Sequence, residues 1–349
     1  MTILYFGTYN SEYPRNKTLI KGLRENGVDI VEINGRAHSF LKYLNVFFRF
    51  LKNKNKFNAM IVGFPGQESM FLAHLLTNKP IIFDTFTSHY GGHILDRQKF
   101  SRNSLQAGWY RWIDKKSVEL SDVAILDTNA HIDFFVEEFD LPRERFRRIF
   151  VGADSNVFYP RDIKKNTDKF LIHFHGNYIP LQGVEYIIRA AKLLEKENIM
   201  FNMIGRGQDY KKSRKLAEKL QVKNINFIDR IPYEELPNYI NMADVSLGIF
   251  GNTLKTELVI PNKMFEAIAC AKPVITSDTR AVKELFFDRE NALFCSKANP
   301  IDLADKILEL KRNNFLWDKI ADGGYQTFQE KCKEKILGEE LIKIIKEII

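Results

Sequence analysis

Short apolar runs that close on glycine or a polar turn alternate with helical stretches along nearly the whole chain. Runs at 3–6, 28–33, 59–63, 80–83 and 123–127 read as strands, with helices at 18–27 and 105–120 among them. Parallel strands need long crossovers, usually helical, so the alternation predicts a parallel, doubly wound α/β sheet. Residues 151–160 and the polar stretch 161–169 read as a linker. A second series follows, with strands at 170–175, 201–204, 225–228 and 245–249 and helices at 184–195, 210–220 and 233–242. A helix from Pro261, a strand from Val274 and closing helices from Ala304 and Glu330 complete it. Two Rossmann-like domains are therefore expected, 1–158 and 159–334, and 349 residues are enough for both. A last helix at about 335–349 is expected to pack back on the first domain. Such sheets bind ligands in the loops after the carboxyl ends of their strands.

The formal net charge of +8 points to an anionic partner. No acidic residue lies between Glu32 and Glu68, a window holding Arg36, Lys42, Arg49, Lys52, Lys54 and Lys56. Phe40, Tyr43, Phe47, Phe48, Phe50 and Phe57 are interleaved with them. A basic helix rich in aromatics suits an anionic membrane surface, expected here at about 36–57. The plainer reading is a domain helix with an aromatic core face and solvated lysines. No nucleic-acid motif accompanies the charge, so no nucleic-acid partner is expected. Cys270, Cys295 and Cys332 lack metal-ligand spacing and suit a reducing cytoplasm. The first seven residues run straight into a strand, with no visible leader, and no apolar run is long enough to span a bilayer.

The stretch from Val259 to Thr276 carries the chemistry. Pro261 suits a helix start, where the first N–H groups are unpaired and favour an anion. Lys263 adds a full charge, and Glu266 follows about one turn later on nearly the same face. Gly176, in the strand–turn His173-Phe-His-Gly176, and the pair Gly205 and Gly207 around Arg206 would let backbone approach a phosphate. Each glycine turn alone is equally a tight connection with no ligand. His38, His74, His93 and His131 lack ligand spacing, and no Ser-His-Asp signature or assignable acid pair is present.

In combination these pieces resemble the family four, or group 1, retaining glycosyltransferases of the GT-B fold. The matching pieces are 176–183, 204–207, 227–236, 243–245 and 261–275, with 151–160 resembling the family's interdomain segment. The resemblance covers roughly residues 120–345. It implies an α/β GT-B molecule, two Rossmann-like domains whose parallel sheets face a central cleft, and sugar transfer from a UDP- or GDP-sugar. It also implies no obligatory metal or other cofactor. Glu266 would bond the donor ribose hydroxyls, the amides near Asn262 and Lys263 would hold the diphosphate, and the backbone at Arg230 and Ile231 would meet the base. Leu258 stands where many members carry a first Glu; Glu257 is one residue off and is either a substitute or an exposed loop acid. Asn177 and Gln182 stand where Arg and Lys are usual. Lys263, Arg206 and Lys255 are the replacement cations, with Lys263 favoured. The matching variant carries Pro-x-Lys-x-x-Glu in place of the full two-Glu motif.

In the first domain, Gly7 and Arg15 lie in the loop after the first strand, and Asp84, Ser88 and His89 follow a later one. These are the acceptor-side expectations. Arg15 would meet an acceptor phosphate or acidic sugar, and Asp84 would orient a hydroxyl or cap its own loop. His89 would touch acceptor, donor sugar or leaving phosphate, or be an ordinary surface histidine. The expected protein is a cytoplasmic enzyme, peripheral on the inner face of the cell membrane, with a glycan or lipid-linked glycan as acceptor. The alternatives are a GT-B nucleotide-sugar epimerase and a non-catalytic GT-B partner subunit.

Overall fold

A computed structural model describes residues 1–35, 41–165 and 167–349, with the side chains of 41–43 left out. The chain divides into two units, Met1–Gly152 with Cys332–Ile349, and Ala153–Lys331.

The first unit is built on β1 (Thr2–Gly7), β2 (Asp29–Asn34), β3 (Ala59–Val62), β4 (Ile81–Asp84), β5 (Val123–Leu126) and β6 (Phe146–Arg148). All pairings are parallel, in the order β2-β1-β3-β4-β5-β6. Every residue of β3, β4 and β5 is buried, as expected of inner parallel strands covered on both faces. The helix Glu334–Ile348 returns to this unit and crosses the helix Pro14–Glu25. The crossing needs glycine on both sides. A Cβ at Gly22 would stand 2.1 Å from the carbonyl oxygen of Glu334, and one at Gly338 2.2 Å from that of Gly22. Lys21 and Glu334 close the contact with an ion pair at 2.5 Å.

The second unit carries β7 (Phe170–His175), β8 (Ile199–Ile204), β9 (Ile225–Ile228), β10 (Val245–Leu247), β11 (Val274–Ser277) and β12 (Leu293–Cys295). The order is β12-β11-β10-β7-β8-β9, again all parallel. Its core joins Ile172, Phe174, Phe201 and Met203 to Ile187, Ile188 and Ile307 of the flanking helices. Strand order reverses between β7 and β10, which makes their carboxyl ends the topological switch point, the usual ligand position in such sheets.

Of the basic window at 36–57, residues 36–40 and the side chains of 41–43 lie outside the described residues. In the helix Leu41–Leu51, Val46 and Phe50 are buried, Phe50 against Phe6 and Phe57. Leu44, Phe48 and Leu51 are exposed. Arg49 is not a free cation, because its guanidinium donates to the carbonyls of Glu32 and Asn34. Lys52, Lys54 and Lys56 are exposed. Among the described residues no helix is long and apolar enough to cross a membrane.

Candidate functional site

The site is assembled at the β7–β10 switch point. β7 ends at His175, and Gly176 follows with φ +145°, donating its N–H to Ile204 at 3.1 Å. Gly205 then has no room for a side chain, since its Cβ would stand 2.1 Å from the Gly176 carbonyl oxygen. A Cβ on Gly207 would stand 2.5 Å from the backbone of Tyr178, whose N–H donates to the Arg206 carbonyl at 2.9 Å. The two glycine turns are thus one laced structure. On its other side Phe250 and Gly251 donate to the carbonyls of Gln182 and Leu181 at 3.2 and 3.1 Å, tying in the loop after β10.

Against this lacework lies the helix Asn262–Ala269, with Pro261 at its N-cap. Proline offers no side-chain acceptor, so the N–H groups of Asn262 and Lys263 point out of the helix start with no side-chain cap. Lys263 is buried, with its ammonium bonded to Gln182 Oε1 and 3.8 Å from the centroid of the Phe174 ring. A Cβ on Gly176 would stand 3.2 Å from Lys263 Nζ, so a side chain there would crowd the charge. Among the described residues no carboxylate lies within ion-pair distance of it. Burial holds the Lys263 ammonium well below its ordinary pKa, with Glu266 opposing the shift. An ammonium buried beside one neutral amide and one ring is short of counter-charge, and an anion would supply it.

Glu266 is buried one turn on. His175 Nε2 donates to its Oε2 at 2.7 Å, and His175 Nδ1 lies 2.8 Å from His173 Nε2. Burial first, then His175 and Lys263, hold His173 well below the ordinary histidine value, so it is neutral near pH 7. Neither histidine was singled out by the sequence. The available signal was His-x-His at the end of a strand, because residues two apart on a strand share a face.

The rim is ionic. Arg206 forms two hydrogen bonds to Asp229, at 2.8 and 2.6 Å, and lies over the Tyr210 ring. Asp229 also accepts from the Arg230 amide at 2.7 Å, and the Arg230 guanidinium reaches Asn177 Oδ1 at 3.5 Å. Asn177, Arg206 and Arg230 therefore meet on one edge, followed by the half-buried Ile231. Lys255 and Glu257 fall in the short helix Leu254–Glu257. The Glu257 carboxylate is bound to Lys297 and to the Arg280 amide. Burial pushes its pKa up, but those partners outweigh it and hold the carboxyl below the usual range.

In the first unit the structure corrects three acceptor-side expectations. Arg15 is fully buried; its Nε and Nη2 bond Asp84, and its Nη1 bonds the carbonyls of Ile149 and Phe150. Asp84 is equally buried. Arg15 is committed to Asp84 and two carbonyls, and the Asp84 carboxylate to Arg15, so neither presents a group to a ligand. Ser88 is also turned inward, donating to Asp114 Oδ2 at 2.6 Å. Asp114 is a buried acid that the sequence reading missed, and it also accepts from the amides of His89 and Tyr90. Its spacing gave no signal, because it lies mid-helix and outside any motif. Gly7 has φ +134° at the end of β1, with its carbonyl accepting from Gly35. His89 is half-buried among His93 and Tyr110, its Nε2 3.8 Å from Glu68.

These features match known proteins. The family profile described as glycosyl transferases group 1 covers residues 158–327. An uncharacterized glycosyltransferase of Methanocaldococcus jannaschii is 28% identical over 169 residues, 46% of this chain and 44% of that protein. The putative colanic acid biosynthesis glycosyl transferase WcaI of Escherichia coli is 29% identical over 136 residues, 38% of this chain and 32% of that one. The chain thus matches less than half the length of these curated relatives. Anabaena HepE, solved in complex with UDP-glucose, superposes with a TM-score of 0.73 over 99% of this chain and 100% of its own, at 13% identity. That likeness is one of fold, the GT-B fold. Over residues 158–327 the chain thus carries a domain that matches the group 1 glycosyltransferase family.

Proposed function

We propose that the protein is a retaining glycosyltransferase that moves a sugar from a UDP- or GDP-sugar to a glycan or lipid-linked glycan, without an obligatory metal. The observation that carries the reading is Lys263, a buried ammonium short of counter-charge at an uncapped helix start, one turn before Glu266. The donor diphosphate would sit on Lys263 and the amides of Asn262 and Lys263, under the Gly176 and Gly205 turns. Glu266 would take the ribose hydroxyls, and the edge formed by Asn177, Arg206, Arg230 and Ile231 would border the base. Leaving-group charge would develop against preorganised positive charge, the largest catalytic contribution these residues can make. The leaving phosphate would help take the acceptor proton, giving front-face substitution with retention. Gly7 and His89 remain the proposed acceptor-side contacts. The exposed Lys52, Lys54, Lys56 and Phe48 support attachment to the inner face of the cell membrane.

A thermal-shift panel of UDP, GDP and ADP with their sugar conjugates tests the donor claim. A ligand at 100 times its Kd should add about 2.7 kcal/mol of stability, a clear rise in Tm. A protein whose Tm no nucleotide moves does not use this site for a donor.

A further inference from the structure

Resting on that donor reading, we infer that His175, backed by His173, is a positioning residue that fixes the Glu266 carboxylate for the ribose. Three contacts define the arrangement. His173 and His175 share one face of β7, their ring centroids 5.0 Å apart. His173 Nε2 and His175 Nδ1 are 2.8 Å apart, and His175 Nε2 is 2.7 Å from Glu266 Oε2. A carboxylate only accepts, so the proton between His175 and Glu266 sits on the histidine. With His173 neutral, its Nε2–H points at His175 Nδ1, and the chain runs in one direction from β7 into the carboxylate. His173 lies in the sheet and is 1% exposed, so the base of the chain cannot swing.

The consequence is geometric. Glu266 has three rotatable bonds, and a free carboxylate would lose that freedom on meeting a ribose. His175 occupies Oε2 on one side, which fixes the carboxylate plane and leaves Oε1 and the remaining lone pairs of Oε2 for the hydroxyls. The next residue, Gly176, lies against Lys263 Nζ. One strand end therefore sets both the ribose acid and the phosphate cation. Leu258, at the position of the usual first acid, offers no second carboxylate to share the task.

The test is calorimetric binding of UDP and GDP and of their 2′,3′-dideoxy counterparts to the full chain. Wild type should favour the ribonucleotide that binds by about tenfold or more, the size expected for hydrogen bonds to a charged group. His175→Leu should cut that preference to about two- or threefold while dideoxynucleotide affinity stays within a factor of about two. His175→Gln, which keeps an N–H donor, should restore most of it. A leucine variant with wild-type preference overturns the inference. Should it fail to fold, His173→Leu serves in its place, removing only the rear donor, and an undiminished preference there is equally fatal. A wild type that binds neither ribonucleotide refutes the donor reading instead, so the two failures are distinct.

Discussion

Two buried cations illustrate opposite uses of charge. Each guanidinium nitrogen of Arg15 is bonded to Asp84 or to one of two carbonyls, so it holds the helix Pro14–Glu25, β4 and the chain after β6 together. Removing one partner of such a pair strands the other, at about 3–5 kcal/mol. Asp84→Asn should therefore lower stability by that order in denaturant unfolding, and a loss below about 1 kcal/mol would show that the pair is not structural. Lys263 is the reverse case, held with one amide and one ring. Its pKa lies well below the ordinary value because burial disfavours the charged form. A diphosphate prefers the ammonium, so affinity should be full below that depressed pKa and fall as pH rises through it. Arginine stays protonated throughout, so Lys263→Arg, if it binds, should show no such fall. A wild-type affinity flat to strongly alkaline pH would contradict this.

At the scale of elements, close approach decides more than propensity. The crossing of Pro14–Glu25 and Glu334–Ile348 exists because Gly22 and Gly338 face each other. Gly338→Ala should cost about 1–3 kcal/mol through overpacking, a drop in Tm of roughly 2–12 °C. An unchanged Tm would mean that the helices separate without penalty. The inner strands and the two glycine turns were legible in the sequence because their signals are local: apolar runs, then Gly176, Gly205 and Gly207. The strands β6 and β12 were not, being three residues each, and Phe146-Arg-Arg has a single apolar residue. The helix Asn129–Phe139 also escaped, although Thr128 caps it by accepting from the His131 amide. In the site, the Pro261 start, Lys263 and Glu266 lie within six residues and could be read together. His175 meets Glu266 across 91 positions and Arg15 meets Asp84 across 69, separations at which no spacing rule operates. That is why Arg15 read as a ligand contact and His175 only as the end of a strand.

For the whole molecule, the net charge of +8 raises the question of where it acts. Arg49 is spent on backbone carbonyls, which leaves Lys52, Lys54 and Lys56 beside the exposed Phe48 and Leu51. Each lysine near an anionic surface contributes about 1 kcal/mol. Changing the three to alanine should weaken binding to phosphatidylserine vesicles by roughly a hundredfold, measured by co-sedimentation at low salt. Equal binding would remove this window from the account. The donor claim is independent of it and rests on the second unit alone. Its most direct test is calorimetric titration of wild type and Lys263→Met with UDP and UMP, and with GDP and GMP. Wild type should bind one diphosphate at least about tenfold tighter than its monophosphate, because the second phosphate meets Lys263 and the helix start. The methionine variant, folded by its Tm, should lose most of that difference. An undiminished preference for the diphosphate in Lys263→Met would contradict the assignment of this helix start as the phosphate site.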